Sequence, residues 1–118
     1  MDKPHKRLEV WKKSVALVAK VYQLTSMLPA EERYGLVAQM RRAVVSVPSN
    51  IAEGAARNTK KDFANFLHNA QGSLSELDTQ LDITVQLGLV SQGQRAAMDD
   101  DLLSIDRMLT GLIKSLNR

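Results

Sequence analysis

Acidic side chains would have to carry any metal chemistry in this chain, because it contains no cysteine and only two histidines. A carboxylate-bridged metal pair inside a helical bundle uses a Glu-x-x-His motif on inward faces. Neither histidine has a glutamate three residues earlier, since Asn65 precedes His68 and Asp2 precedes His5 at that distance. The run Asp99–Asp101 spans about 200° of a helical wheel, so its carboxylates diverge. We therefore expect no metal site and interpret the run as a solvated first helical turn.

Serine-based catalysis is the other chemistry that these residue types would permit. The chain has neither a Gly-x-Ser-x-Gly nor a Ser-x-x-Lys motif, and its six glycines are too scattered to form a phosphate-binding loop. Only one histidine lies inside a predicted helix, which leaves little from which to build a Ser-His pair. The sequence thus predicts a protein that is not an enzyme and that uses no cofactor.

Apolar residues are spread along the chain and never form the run of about 20 that a membrane-spanning helix requires. The first residues are not followed by the apolar stretch of a signal peptide. We therefore expect a cytoplasmic protein of bacterial type that makes no contact with a membrane.

Basic side chains are the remaining candidates for binding. Residues 1–61 have a formal charge of +7 and residues 62–118 one of −4, which together give the net charge of +3. An excess of lysine and arginine suits an anionic partner, although it equally suits helix ends that are merely solvated. If the first two helices are antiparallel, the basic residues near the start of helix one and around the junction of helices two and three converge. The candidate nucleic-acid-binding residues are Lys12, Lys13, Arg41, Arg42, Arg57, Lys60 and Lys61.

Helical periodicity dominates the chain, which contains only three prolines. The pattern predicts four helices, which cover Arg7–Leu28, Ala30 to about Gly54, Thr59–Leu87 and Ser91–Leu116. Long helices that are joined by short turns, each with an apolar seam, indicate an all-α fold. We expect an antiparallel up-down-up-down four-helix bundle that forms a single domain over residues 1–118.

Cap residues and one proline refine this prediction. Ser91 and Gln94 have the spacing of a capping box, and Gly88 suits the C-terminal end of helix three. Pro48 lies inside helix two, where it removes an amide donor and presses against a carbonyl oxygen. We therefore expect a kink or a break at Pro48.

Helix one carries two apolar rows, whereas a helix in a simple bundle needs one. The first row contains Leu8, Trp11, Val15, Val18 and Tyr22. The second contains Val10, Leu17, Val21, Leu24 and Leu28, with Ser14 as its polar member. Two rows indicate either a helix deep inside the bundle or a subunit interface. Because a single bundle cannot hide both rows, we expect a homo-oligomer.

Residues 39–54 read Gln-Met-Arg-Arg-Ala-Val-Val-Ser-Val-Pro-Ser-Asn-Ile-Ala-Glu-Gly, a polar pattern that bundle packing alone would not select. Together with Phe66-Leu67 and residues 72–77, this segment resembles the four-helix-bundle proteins encoded by intervening sequences of bacterial 23S ribosomal RNA genes. The family-motif residues are Ser46, Pro48, Ser49, Asn50, Glu53 and Gly54. We interpret this motif as structural: Asn50 and Glu53 would satisfy backbone groups freed by the proline, and Gly72 would permit a close approach of helices.

The chain is also similar to the accessory variability protein of diversity-generating retroelements. That resemblance implies a pentameric ring with a basic surface that binds RNA or DNA, and a reverse transcriptase as a protein partner. From the residues and the resemblance together, we expect a non-enzymatic oligomeric bundle that binds nucleic acid or a nucleoprotein without reading sequence. The alternative is a protein–protein interaction adaptor whose basic patch is incidental.

Overall fold

Helices account for nearly the whole chain in the computed structural model, which describes all 118 residues and contains no strand. The helices are α1 (Glu9–Thr25), α2 (Ala38–Ala55), α3 (Lys60–Gln86), α4 (Gln92–Ala96) and α5 (Asp99–Leu116). Single 3₁₀ turns at Pro4–Arg7 and Ala30–Glu32 and a π turn at Arg33–Val37 precede α1 and α2. The prediction of an all-α fold with four long helices is confirmed.

The four long helices enclose one apolar core. Helix α1 packs against α2 and α5, and α3 packs against the same two helices. Their inward faces supply fully buried side chains such as Leu17, Met40, Leu77 and Ile105. In α1 the row that contains Val10, Leu17, Val21 and Leu24 is the buried one. The second apolar row of α1 therefore lies at the edge of this core, with Leu8, Trp11 and Val18 partly buried against it and Val15 and Tyr22 exposed.

Contacts between successive helices join the end of one to the start of the next. Arg41, near the start of α2, bonds to Tyr22 and Thr25 at the end of α1. Gly54, at the end of α2, lies against Phe66 near the start of α3. Both contacts are of the kind that antiparallel neighbours make.

The first two helices are shorter than the periodicity predicts. Helix α1 ends at Thr25, and a hydrogen-bonded turn leads to Leu28. Helix α2 begins at Ala38, eight residues after the predicted start, because Gly35 has non-helical angles (φ −103°, ψ −110°). The chain therefore bends at Gly35 before the regular helix begins.

Pro48 does not break helix α2, so of the two expected outcomes, a kink or a break, the break is wrong. The helix runs from Ala38 to Ala55 with Pro48 buried in its interior. Two side chains on the next turn add hydrogen bonds to the backbone: Ser49 Oγ donates to the Val45 carbonyl and Asn50 Nδ2 to the Ser46 carbonyl, both at 2.8 Å. These bonds reinforce the turn from which the proline removes an amide donor.

The predicted fourth helix is divided into α4 and α5, which corrects its expected continuity. Its capping box is confirmed: Gln94 N donates to Ser91 Oγ at 3.0 Å, and Ser91 N donates to Gln94 Oε1 at 2.8 Å. After Ala96 the chain closes a tight turn, in which Met98 N donates to the Arg95 carbonyl at 3.1 Å. At the end of α3, Gly88 has φ +73° and confirms the predicted C-terminal cap.

Candidate nucleic-acid interface

The candidate basic residues form separate groups instead of one convergent patch. Arg41 and Arg42 lie near the start of α2, beside the end of α1. Arg57, Lys60 and Lys61 lie at the junction of α2 and α3, and we call these three the junction group. About 20 Å of helix separates the two places, because each helical residue advances the chain by about 1.5 Å. The convergence expected from the sequence therefore does not extend to Arg41 and Arg42.

The junction group is exposed and only weakly paired. Arg57 Nη2 lies 3.5 Å from Glu53 Oε1, and its guanidinium lies 4.6 Å from the centre of the Phe66 ring. Lys60 and Lys61 are exposed, and neither forms an ion pair. An exposed ion pair of this kind contributes about 0–1 kcal/mol, so it competes poorly with a phosphate for the arginine. All three cations are thus open to an anionic ligand.

Lys12 and Lys13, near the start of α1, point in different directions. Lys12 Nζ lies 3.3 Å from Glu9 Oε1 on the exposed side of α1. Lys13 instead points toward α5, where its Nζ lies 3.9 Å from Asp101 Oδ1, and Lys20 Nζ approaches the same carboxylate to 2.5 Å. Lys13 is therefore directed away from α2. Asp101 is also not the solvated residue that the sequence predicted, because it joins α5 to α1.

The turn that precedes α1 carries further basic residues. Pro4–Arg7 contains Lys6 and Arg7, and it contacts α2. His5 in this turn lies edge-on to Trp11, with 5.0 Å between the ring centres. Since the end of α1 lies beside the start of α2, this turn lies toward the other end of α2, where the junction group is. The turn thus extends the basic surface at that end of the bundle.

Arg41 joins α1 to α2. Its Nε donates to Thr25 Oγ1 at 2.9 Å and its Nη2 to the Tyr22 carbonyl at 3.4 Å. The guanidinium also lies 4.3 Å from the centre of the Tyr22 ring, a cation–π contact. None of these partners is a carboxylate, so the charge of Arg41 is not neutralised. Arg42 is exposed and forms no ion pair.

The polar side chains of the family motif connect α2 to α3. Ser46 Oγ lies 2.8 Å from Ser73 Oγ, and Asn50 Nδ2 donates to Ser46 Oγ at 2.9 Å as well as to the Ser46 carbonyl. Pro48 removes the amide donor that would bond to the Val44 carbonyl, and Asn50 does not contact that carbonyl. Glu53 pairs with Arg57 instead of with a backbone group. The expected role of Asn50 and Glu53 is therefore corrected: Asn50 supports a serine pair between helices, and Glu53 lies on the surface.

The close approach of helices occurs at Gly54 and not at Gly72. A Cβ atom added to Gly54 would lie 2.7 Å from the Cβ of Phe66 and 3.0 Å from Cδ1 of Phe63. A Cβ atom added to Gly72 would meet no atom within 4 Å. The expectation for Gly72 is therefore wrong, because that residue is on the exposed side of α3.

We predict a modest loss of stability for Asn50→Leu, which removes both side-chain hydrogen bonds to Ser46. Ser46 Oγ keeps its partner Ser73, so the expected decrease in the free energy of unfolding is about 1 kcal/mol. Chemical denaturation measures this value. Exposed Ser49→Ala, which removes one hydrogen bond within the same helix, is the control and should change stability less. An unchanged stability for Asn50→Leu, together with loss of a bound partner, would instead identify Asn50 as a contact residue.

Arg95 organises the most extensive ion-pair cluster of the chain, and the sequence analysis did not single it out. Its side chain is 10% exposed. Its Nη2 bonds to Asp78, its Nε donates to Asp82 Oδ1 at 3.1 Å and its Nη1 to Asp99 Oδ1 at 2.7 Å. The sequence spacing is consistent with these ion pairs. Asp78 and Asp82 share a face of α3, and Asp99 follows Arg95 by four residues. Asp99 is therefore paired, contrary to the expected solvated turn.

Burial by itself disfavours the charged guanidinium, but the hydrogen bonds to Asp82 and Asp78 outweigh it and raise the pKa of Arg95 above its ordinary value. A raised pKa means that the stability from this charge is complete below the ordinary value and disappears only at extreme alkaline pH. The positive charge of Arg95 is thus available to hold α4 against α3 up to strongly alkaline pH.

No group of three or more histidine, cysteine, aspartate or glutamate side chains is placed to hold a metal ion. The three aspartates around Arg95 surround a guanidinium, which occupies the position between them. None of the helices combines the length and the apolar character that crossing a bilayer demands.

Comparison with known proteins agrees with the motif and with the fold. Among solved structures, the chain is similar to a protein of unknown function from the S23 ribosomal protein family of Bacteroides thetaiotaomicron VPI-5482. The TM-score is 0.82 at 24% sequence identity, and the match covers 89% of this chain and 98% of that chain. This likeness shows a shared fold. No curated protein matches the chain.

A family model covers most of the sequence. The model of the 23S rRNA-intervening sequence protein matches residues 6–111, which include the motif Ser46–Gly54, the junction group and Arg95. The resemblance read from the motif is confirmed. This chain belongs to the 23S rRNA-intervening sequence protein family.

Proposed function

We propose that this protein is a non-enzymatic, antiparallel up-down-up-down four-helix bundle that self-associates and binds the phosphates of RNA or DNA without reading their sequence. The observation that carries the proposal is the junction group, in which Arg57, Lys60 and Lys61 lie within five residues and have a single weak carboxylate partner. Contacts with phosphate oxygens fix a protein on a nucleic acid without distinguishing bases. A cluster of open cations at one end of a bundle suits that type of binding.

The proposal of a non-enzymatic role is supported by the residues that line the surface grooves. One groove, between α3 and α5, is lined by aspartates, leucines and one serine. Another, between α1 and α2, is lined by Tyr22, Arg41, Arg42, Val45 and Ser46. Neither contains a histidine that could activate a serine. Charge and apolar contact, rather than a reactive group, dominate both grooves.

Self-association is supported by the second apolar row of α1. Val15 and Tyr22 are 41% and 40% exposed, and Val45 on the neighbouring α2 is 38% exposed. Trp11 and Val18 in the same row are only partly buried against the core. A contiguous apolar strip on one side of a small bundle is typical of a protein interface. We propose a closed ring, which the family resemblance gives as a pentamer.

A ring would increase the affinity of this small basic surface for nucleic acid. One junction group neutralises only two or three phosphates, which corresponds to weak binding at physiological salt. Repeating the group on every subunit raises the effective concentration of the second and later contacts. Binding should then depend steeply on salt, because each neutralised phosphate contributes about −0.9 to the slope of log affinity against log salt.

The double variant Lys60→Glu/Lys61→Glu tests this function. We expect it to weaken binding to duplex RNA or DNA by more than tenfold at low salt and to reduce the salt slope, because two phosphate contacts per subunit become repulsive. Fluorescence anisotropy at several salt concentrations measures both quantities. The thermal midpoint should stay unchanged, since both lysines are exposed and unpaired.

The matched control is Arg107→Glu/Lys114→Glu, which makes the same charge change at exposed, unpaired positions of α5. If the junction group binds phosphate, the control should retain most of the affinity. Equal losses in the two double variants would show that net charge alone attracts the nucleic acid. No detectable binding by the parent protein at low salt would contradict the proposal.

The second candidate function is that of a protein–protein adaptor. The observation that favours it is the exposed apolar strip of α1 and α2, which would accept a protein without any nucleic acid. A reverse transcriptase is the partner class that the family resemblance suggests. An intact oligomer that binds no nucleic acid would favour this function over the first.

A further inference from the structure

The two surface grooves lie on opposite sides of the bundle. Because α1 and α3 both pack against α2 and α5, the helices follow the cyclic order α1, α2, α3, α5. The groove between α1 and α2 is therefore opposite the groove between α3 and α5. We call them the basic groove and the acidic groove.

The basic groove combines apolar surface with uncompensated positive charge. It has a volume of about 420 Å³ and is lined by Tyr22, Arg41, Arg42, Val45 and Ser46. Arg41 bonds only to neutral groups, and Arg42 forms no ion pair. No carboxylate lines this groove.

The acidic groove has the complementary composition. Its volume is about 260 Å³, and its lining includes Asp78, Asp99 and Asp106 together with Leu103, which is 50% exposed. Asp78, Asp82 and Asp99 share the single positive charge of Arg95, so most of the negative charge around this groove, which includes that of Asp106, is not neutralised. Asp106 has no cationic partner and accepts only a long hydrogen bond, 3.4 Å, from Gln71.

We propose that the acidic groove of one copy receives the basic groove of the next copy, with Arg42 facing Asp106 and Val45 and Tyr22 packing against Leu103. The proposal rests on the self-association in the proposed function, and it specifies which surfaces meet. Complementary charge selects this pairing over the contact of two like grooves, because like charges across an interface are repulsive. A second copy of the chain thus provides the counterpart of each groove.

The positions of the grooves determine the type of assembly. Two different surfaces on opposite sides of a subunit form a head-to-tail contact, which gives a closed ring when the rotation between copies closes and an open filament when it does not. The bundle measures 44 × 25 × 19 Å, so a long side has room for the roughly 800 Å² per partner that a specific interface buries. This pairing also places Arg41 and Arg42 at the interface, which leaves phosphate binding to the junction group.

Charge reversal on each side of the pairing tests the proposal. Arg42→Glu and Asp106→Arg should each raise the dissociation constant of the oligomer at least about tenfold, since each places like charges together. The double variant Arg42→Glu/Asp106→Arg restores opposite charges at every contact and should recover most of the assembly. Sedimentation velocity over a concentration series measures the oligomer, and circular dichroism verifies that each variant is folded.

Lys114→Glu is the control, because it makes the same charge change as Arg42→Glu at an exposed site in neither groove. It should leave the oligomer intact. A monomeric parent protein would contradict the self-association in the proposed function and this pairing with it. An oligomeric parent whose single variants remain assembled, or whose double variant fails to recover, would overturn the pairing alone.

Discussion

Gly54→Ala should lower the free energy of unfolding by about 2 kcal/mol, although alanine is the better helix former. The added Cβ would lie 2.7 Å from the Cβ of Phe66 and 3.3 Å from the backbone carbonyl oxygen of Phe63. Forcing a methyl group into such a contact costs about 1–3 kcal/mol, against a gain of up to about 1 kcal/mol in helix propensity. The Phe63 ring, whose Cδ1 would lie 3.0 Å away, can shift, but the Cβ of Phe66 is attached to the backbone of α3 and cannot move aside without moving the helix. Chemical denaturation measures the change.

The matched control is Gly72→Ala, which makes the same substitution inside helix α3. A Cβ atom at Gly72 meets nothing within 4 Å, so only helix propensity should change. We expect an increase of about 0.5–1 kcal/mol in the free energy of unfolding. Equal effects of the two substitutions would show that α2 and α3 can separate at Gly54 without a loss of stability. The close approach of the two helices would then not limit the stability of the protein.

These two glycines show how far a single sequence could predict the fold. Periodicity was sufficient for the helices, because each long helix buries one apolar stripe and the stripes recur every three or four residues. It could not distinguish Gly54 from Gly72, because both occur in helical patterns. Which glycine lies between helices depends on the partner helix, and the sequence assigned the close approach to the wrong one.

The candidate site shows a similar limit. The candidate basic residues can be listed from the sequence, but their grouping depends on which end of α2 each one occupies. Arg41 and Arg57 are on the same chain segment in the sequence, whereas in the structure about 20 Å of helix lies between them. The sequence could not decide between a kink and a break at Pro48, because its surroundings, including the hydrogen bonds of Ser49 and Asn50, decide whether the helix continues.

The Arg95 cluster was missed for a related reason. The sequence placed Asp99 in a run that was interpreted as a solvated turn, and it gave Arg95 no predicted role. The spacing would have predicted an ion pair with Asp99, four residues away on the same face of a continuous helix. Periodicity did not reveal the break between α4 and α5, nor which residues of α3 lie beside α4.

Arg95→Met should therefore destabilise the protein by about 2–3 kcal/mol, while the exposed control Arg107→Met should stay within about 0.5 kcal/mol of the parent. Methionine preserves much of the buried volume but leaves Asp78, Asp82 and Asp99 without the cation between them. These carboxylates are 52%, 69% and 58% exposed, so water relieves part of the repulsion and keeps the loss below that of a fully buried pair.

Arg95→Lys distinguishes charge from geometry at this site. A lysine keeps the positive charge, but its compact ammonium cannot reproduce the three directed bonds of the guanidinium. We expect it to recover less than half of the stability lost in Arg95→Met, as measured by chemical denaturation of the three variants together. Full recovery by lysine would show that neutralising the aspartates suffices, and the fixed orientation of α4 against α3 would then need another cause.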